Sequence, residues 1–90
     1  MNVFEKAKII IYLYDDIDLT QSEISKKLGI SQSDISKVTQ EYGYRYTNKK
    51  NKNNLRNGET VNVIHRASAL KFLDKYPDEN FEEYRFILND

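Results

Sequence analysis

Two helix-start signals on either side of a single glycine constrain this chain more than any other feature of its sequence. Thr20-Gln21-Ser22-Glu23 has capping-box spacing, in which the Thr20 hydroxyl accepts from the Glu23 amide while the Glu23 carboxylate reaches back to the Thr20 amide. Ser31-Gln32-Ser33-Asp34 repeats that spacing. Gly29 stands two residues before it, where a chain leaving a helix passes through the left-handed region that glycine reaches without strain. The pattern predicts a short helix ending at Leu28, a turn of Gly29-Ile30-Ser31, and a second helix beginning at once. Ile24 and Leu28 share one face of the first helix. In the second, Ile35, Val38 and Tyr42 face one way and Ser33, Ser36, Lys37 and Gln40 the other, with Gln32 exposed in the first turn.

The flanking segments extend this pattern. Phe4, Ala7, Ile10, Ile11 and Tyr14 recur at helical spacing, which predicts an amphipathic helix over 2–14 ending before Asp15-Asp16. Beyond Gly43 the period becomes alternating, with Tyr42, Tyr44 and Tyr46 on one side and Arg45 and Thr47 on the other. A second alternating run, Thr60-Val61-Asn62-Val63-Ile64-His65, follows. Two short strands joined by a long polar tip containing Asn57-Gly58 make a β-hairpin. Helical spacing then returns in Ala67, Leu70, Leu73 and Tyr76. Pro77 opens a last helix carrying Phe81, Tyr84, Ile87 and Leu88, whose first turns hold Asp78, Glu79, Glu82 and Glu83, as the helix dipole favours. Ninety residues without an internal repeat or linker read as a single domain with a modest core.

Composition narrows the function classes. The absence of cysteine excludes a disulfide framework and thiolate metal sites and fits a reducing intracellular setting. The longest apolar run, Ile9-Ile10-Ile11-Tyr12-Leu13-Tyr14, falls far short of the roughly 20 residues of a membrane span, and no signal-peptide pattern is visible, so a cytoplasmic protein with no membrane partner is expected. Net charge is zero but unevenly distributed. Residues 21–58 carry eight cations (Lys26, Lys27, Lys37, Arg45, Lys49, Lys50, Lys52, Arg56) against three anions (Glu23, Asp34, Glu41), while both flanks are net acidic. A basic middle can present a positive face to a polyanion whatever the total charge.

The stretch from Thr20 to Val38 resembles the helix-turn-helix of bacterial and viral transcription regulators: apolar Ile24, Leu28, Ile30, Ile35 and Val38, the turn glycine and two adjacent caps all agree. Ser25 departs from the family, where a small residue, usually alanine, packs at that place. With the hairpin included, residues 2–66 resemble a winged helix-turn-helix domain. The expected fold is therefore mainly α with a small β-hairpin: a helix-turn-helix at 20–42 completing a three-helix core, a wing at 43–66 and C-terminal helices at 67–89. The resemblance implies that the recognition helix presents Gln32, Ser33, Ser36, Lys37 and Gln40 to base edges. Glutamine can pair with adenine, lysine can donate to guanine, and serine can contact bases or phosphates. It also implies that Lys26 and Lys27, with Arg45, Lys49, Lys50, Lys52 and Arg56 of the wing, meet the DNA backbone or minor groove. Lys26 and Lys27 would equally stabilise the C-terminal end of their own helix.

The residues suggest no enzyme. His65 is the only histidine and has no second ligand at metal-binding spacing, the pairs Asp15-Asp16 and Glu82-Glu83 are adjacent and so point apart, and no nucleophile or phosphate loop accompanies them. Neither a metal nor a cofactor is expected. Tyr12, Tyr14, Tyr76 and Tyr84 lie outside the basic region and read as core or interface rather than as base-stacking groups. Ile9, Tyr12, Leu13, Phe81, Tyr84, Ile87 and Leu88 supply more apolar surface than so small a core needs, which predicts a homodimer on a pseudo-palindromic operator with half-sites about 34–36 Å apart. The expected function is sequence-specific binding of double-stranded DNA by a nucleoid-associated transcriptional regulator, most simply a repressor. Two alternatives stay open at this point: a centromere-type or architectural DNA-binding protein of a plasmid or virus, and a protein-interaction module.

Overall fold

The first helix is buried on nearly every side, and the other helices are arranged to cover it. The computed structural model describes residues 1–45 and 67–89. Helix α1 (Val3–Ile11) starts from a capping box in which Asn2 Oδ1 accepts from the Glu5 amide and Glu5 Oε1 accepts from the Asn2 amide, each at 2.9 Å. Val3, Lys6, Ala7, Ile9, Ile10 and Ile11 are all buried, and a wider π-type turn over Tyr12–Asp16 continues the helix and buries Leu13 and Tyr14. The helical path therefore runs through Asp15 and Asp16 instead of stopping before them. Glu5 and Lys8, three residues apart, keep one side of α1 partly exposed, and the rest of its surface faces the interior. Helices α3 (Gln32–Tyr42), α4 (Ala67–Lys75) and α5 (Asp78–Asn89) pack against α1, and α2 (Gln21–Leu28) packs against α3.

Helices α2 and α3 lie where the two caps predict. Thr20 accepts from the Glu23 amide at 3.1 Å and the Glu23 carboxylate takes the Thr20 amide at 2.8 Å. Gly29 ends α2 at φ 65° and ψ 35°, in the left-handed region, with its amide donating to the Ser25 carbonyl. Ser25 closes the same turn: its hydroxyl donates to the Ile30 carbonyl at 2.5 Å, a bond that alanine could not make. Ile24, Leu28, Ile30, Ile35, Val38 and Tyr42 all point into the core.

The C-terminal helices are wound tightly, with 3-10 geometry, and their sequences suit that winding. In a 3-10 helix, residues three apart eclipse one another. Leu70, Leu73 and Tyr76 follow that interval, as do Phe81, Tyr84 and Ile87. Leu70, Leu73, Phe81 and Ile87 are buried, while Tyr76 and Tyr84 pack at the edge of the core. Lys6, itself 4% exposed, fastens α1 to the end of α4, its ammonium donating to the carbonyls of Tyr76 at 2.6 Å and Leu73 at 3.3 Å. Tyr76 lies just past the end of α4, where intrahelical donors run out, and the Leu73 carbonyl also accepts from the Tyr76 amide at 3.1 Å.

Two expectations require correction. Ile9, Leu13, Phe81 and Ile87, read as dimer-interface residues, lie in the core of the single chain, and Tyr12, Tyr84 and Leu88 are partly buried against it. The apolar surplus disappears because α4 and α5 fold back onto α1, an arrangement that residue spacing within each helix does not reveal. The first hairpin strand is also not seen where it was placed. Tyr42 is the last residue of α3, Gly43 is extended, and Tyr44 and Arg45 have helical backbone. No strand occurs among the described residues; Tyr46, Thr47, the tip and the run Thr60–His65 lie outside them. Nor is any helix among the described residues long and apolar enough to cross a membrane.

Both turn glycines should resist substitution, for different reasons. A Cβ at Gly29 would meet only Asn80 Nδ2, at 3.4 Å, so Gly29→Ala should cost about 1 kcal/mol through backbone strain alone, and Gly29→Asn less. A Cβ at Gly43 would lie 2.6 Å from the Thr39 carbonyl oxygen, so Gly43→Ala should destabilise through a backbone clash that asparagine does not relieve. Urea denaturation of the four variants checks both. An unchanged midpoint for Gly29→Ala would refute the left-handed turn.

Candidate nucleic-acid interface

Helix α3 has one face locked in the protein and the other open. Asp34, Ile35, Val38, Thr39 and Tyr42 are buried, whereas Gln32, Ser33, Lys37 and Gln40 are exposed and Ser36 is half-buried. Ser33, Ser36, Lys37 and Gln40 are three, four and seven residues apart, the spacing of one helix face. Gln40 Nε2 donates to Ser36 Oγ at 2.5 Å, preorganising two of these groups relative to each other. From the buried side, Gln21 Nε2 donates to Thr39 Oγ1 at 2.9 Å and so fixes the start of α2 against α3. The structure thus brings all five predicted base-contacting residues onto the exposed surface of one helix. Lys26 and Lys27 are exposed in the last turn of α2, where their charges suit the helix dipole.

The first turn of α3 contains a group whose role the sequence does not reveal. Ser31 caps the helix as expected, accepting from the Asp34 amide at 3.2 Å, but the Asp34 carboxylate turns inward instead of completing a capping box. Its Oδ2 accepts from the Tyr76 hydroxyl at 2.5 Å and lies 3.0 Å from Lys75 Nζ, while Lys37 Nζ lies 3.5 Å from Oδ1. The Tyr76 hydroxyl also accepts from the Ser31 amide at 3.2 Å, so one phenol binds both the cap residue and the buried acid. Burial by itself raises the Asp34 pKa. Hydrogen bonds from Tyr76, Lys75 and Ser31, with the charge of Lys75, outweigh that effect and hold the group at about 2. Hydrogen bonding to Asp34 correspondingly raises the pKa of Lys75. Local spacing could not have revealed a link between residues 42 positions apart. The available hint was chemical: an acid among side chains expected to meet a polyanion calls for a partner of its own.

Arg45 is displaced from its expected role on a wing. Its guanidinium donates to the Leu19 carbonyl at 2.9 Å, pairs with Asp18 and stacks 3.7 Å from the centre of the Tyr14 ring. The Asp15 carboxylate accepts from the Tyr44 amide at 2.6 Å and the Arg45 amide at 2.9 Å. Physically, the anionic end of the α1 segment captures the first cation after α3, and the helical backbone at Tyr44 and Arg45 points two successive amides at the Asp15 carboxylate. Lys49, Lys50, Lys52, Arg56 and His65 lie outside the described residues.

Compared with protein-family models, with curated proteins and with solved structures, the chain matches none.

The Asp34 cluster predicts a pH dependence of stability. Because the folded pKa is depressed, the stabilisation is fully present above the ordinary carboxylate value of 3.8 and is lost as pH falls toward about 2. The shift corresponds to about 2 kcal/mol. Denaturation of the parent and Asp34→Asn should therefore show a stability difference that shrinks between pH 5 and pH 2, by at most about 1.4 kcal/mol per pH unit. A constant difference would mean that the carboxylate charge contributes nothing.

Proposed function

We propose that the chain is a sequence-specific double-stranded DNA-binding protein of the helix-turn-helix kind, in which α3 is the recognition helix and transcriptional regulation is the biological role. One observation carries this reading. Five side chains able to read base edges (Gln32, Ser33, Ser36, Lys37 and Gln40) lie on the open surface of a helix that follows a three-residue glycine turn and is anchored by its opposite face. Exposed Lys26 and Lys27 on the preceding helix would add contacts to phosphate. In the sequence, Lys49, Lys50, Lys52 and Arg56 add further cations to the same basic middle.

Selection of bound sequences from a random duplex pool, followed by footprinting, tests the reading. Enrichment of a short motif is expected, and footprint length then separates one protomer from a two-fold arrangement. Protection spreading over neighbouring repeats would favour the architectural role. No enriched motif and no salt-dependent retention on DNA would reject DNA binding and leave a protein-interaction module.

Variants of α3 sharpen the test. Gln32→Ala and Lys37→Ala should each weaken binding to the selected site by about 1–3 kcal/mol while changing non-specific binding less. Fluorescence anisotropy on selected and scrambled duplexes measures both. Equal losses on the two duplexes would remove α3 from the groove.

A further inference from the structure

The cluster around Asp34 brings a side chain proposed to contact DNA into contact with residues far away in sequence. Asp34 is 5% exposed, whereas Lys37 and Lys75 are each 59% exposed, so one buried carboxylate faces two ammonium groups that open to solvent. Its two oxygens are held unequally. Oδ2 has the short bonds, 2.5 Å from Tyr76 and 3.0 Å from Lys75. Oδ1 has Lys37 at 3.5 Å, well beyond the 2.7–2.9 Å typical of strong charge-assisted bonds. The ammonium of Lys37 also sits 5.2 Å from the centre of the Phe72 ring, another weak contact supplied by α4.

This inequality matters for a lysine that must leave its resting place to reach DNA. A buried carboxylate with a single cationic partner would hold that partner, because losing it leaves an uncompensated charge in a poorly hydrated site. Asp34 keeps two good partners when Lys37 departs.

We propose that Tyr76 and Lys75 are positioning residues for DNA binding: by holding Asp34 through Oδ2, they release Lys37 to contact the duplex. The proposal rests on the DNA-binding reading above and adds the C-terminal segment to it. A direct phosphate contact by Lys75 is the competing account, and the two differ in how Lys75 and Lys37 combine.

A double-mutant cycle decides between them. Lys37→Met, Lys75→Met and the double variant alter exposed side chains and should leave the fold intact, which circular dichroism checks. Affinities are read on a duplex carrying the selected site. Each single variant should bind on the order of tenfold more weakly, the size of one lost charged contact, and the double variant no more weakly than Lys37→Met alone. Lys75→Arg, which retains the charge, should restore binding. Additive losses would overturn the proposal in favour of direct contact by Lys75. Parental affinity in Lys75→Met or in Lys37→Met would overturn it while leaving the DNA-binding reading intact. Failure of the parent chain to bind any duplex would overturn both.

Discussion

The constraint on which this structure depends is the burial of α1. Six of its nine residues are inside, including Lys6, and the following turn adds Leu13 and Tyr14. A helix that buries this much of its surface cannot rest on one side of a two-helix unit, because the apolar area left in water would cost about 25 cal/mol per Å². α2 and α3 alone would leave it partly bare. The C-terminal helices are therefore part of the core rather than an appendage, and Leu70, Leu73, Phe81 and Ile87 are the side chains that close it. Lys6 shows how strongly the site is specified: a lysine is kept in the interior by two carbonyls at the end of α4 and by Asp78, 3.8 Å away.

A second seam joins the same C-terminal segment to the start of α3. Tyr76 bonds to Asp34 and Ser31, while Lys6 bonds to the Tyr76 carbonyl. Tyr76, the residue just past the end of α4, thus touches both the central helix and the helix proposed to read DNA. Its phenol binds the first turn of α3 and its carbonyl binds α1, so a shift of either helix would strain a short hydrogen bond. Packing gives α3 its place, and this pair of bonds gives it an orientation. Directional bonds of this kind set register more sharply than apolar contact, which tolerates sliding.

Local chemistry was legible in the sequence and long-range chemistry was not. The two caps, Gly29, the limits of α2 and α3 and the inward set Ile24, Leu28, Ile35, Val38 and Tyr42 depend on residues within a few positions of one another, and each was readable from spacing. The five candidate base-contacting residues followed as the complement of that inward face. Helix α1 was readable as a helix but not as the centre of the fold, since Ile9 and Leu13 look like surplus until α4 and α5 are packed on them. Alternating tyrosines suggested a strand from Tyr42, yet Tyr42 finishes a helix. Side-chain alternation is a weak signal over three residues, and the Asp15 carboxylate instead rewards a helical start at Tyr44. Asp34 was legible as a first-turn acid but not as the partner of Tyr76 and Lys75, because nothing in a linear pattern pairs residues across the whole fold.

Charge illustrates the same difference between chain and surface. Counted along the sequence, the middle segment is basic and both flanks are acidic. In the fold these segments mix. Asp18 and the Leu19 carbonyl engage the guanidinium of Arg45, so one cation of the middle is spent on the N-terminal flank. In the other direction, the net-acidic C-terminal flank sends Lys75 to the first turn of α3, where it pairs with the buried Asp34 carboxylate that also faces Lys37. An isolated surface ion pair contributes little to stability, but a pair built on a buried carboxylate changes which charges remain available to a partner. The electrostatic character of the exposed α3 face is therefore a property of tertiary packing, and the C-terminal segment bears on it as directly as the basic middle does.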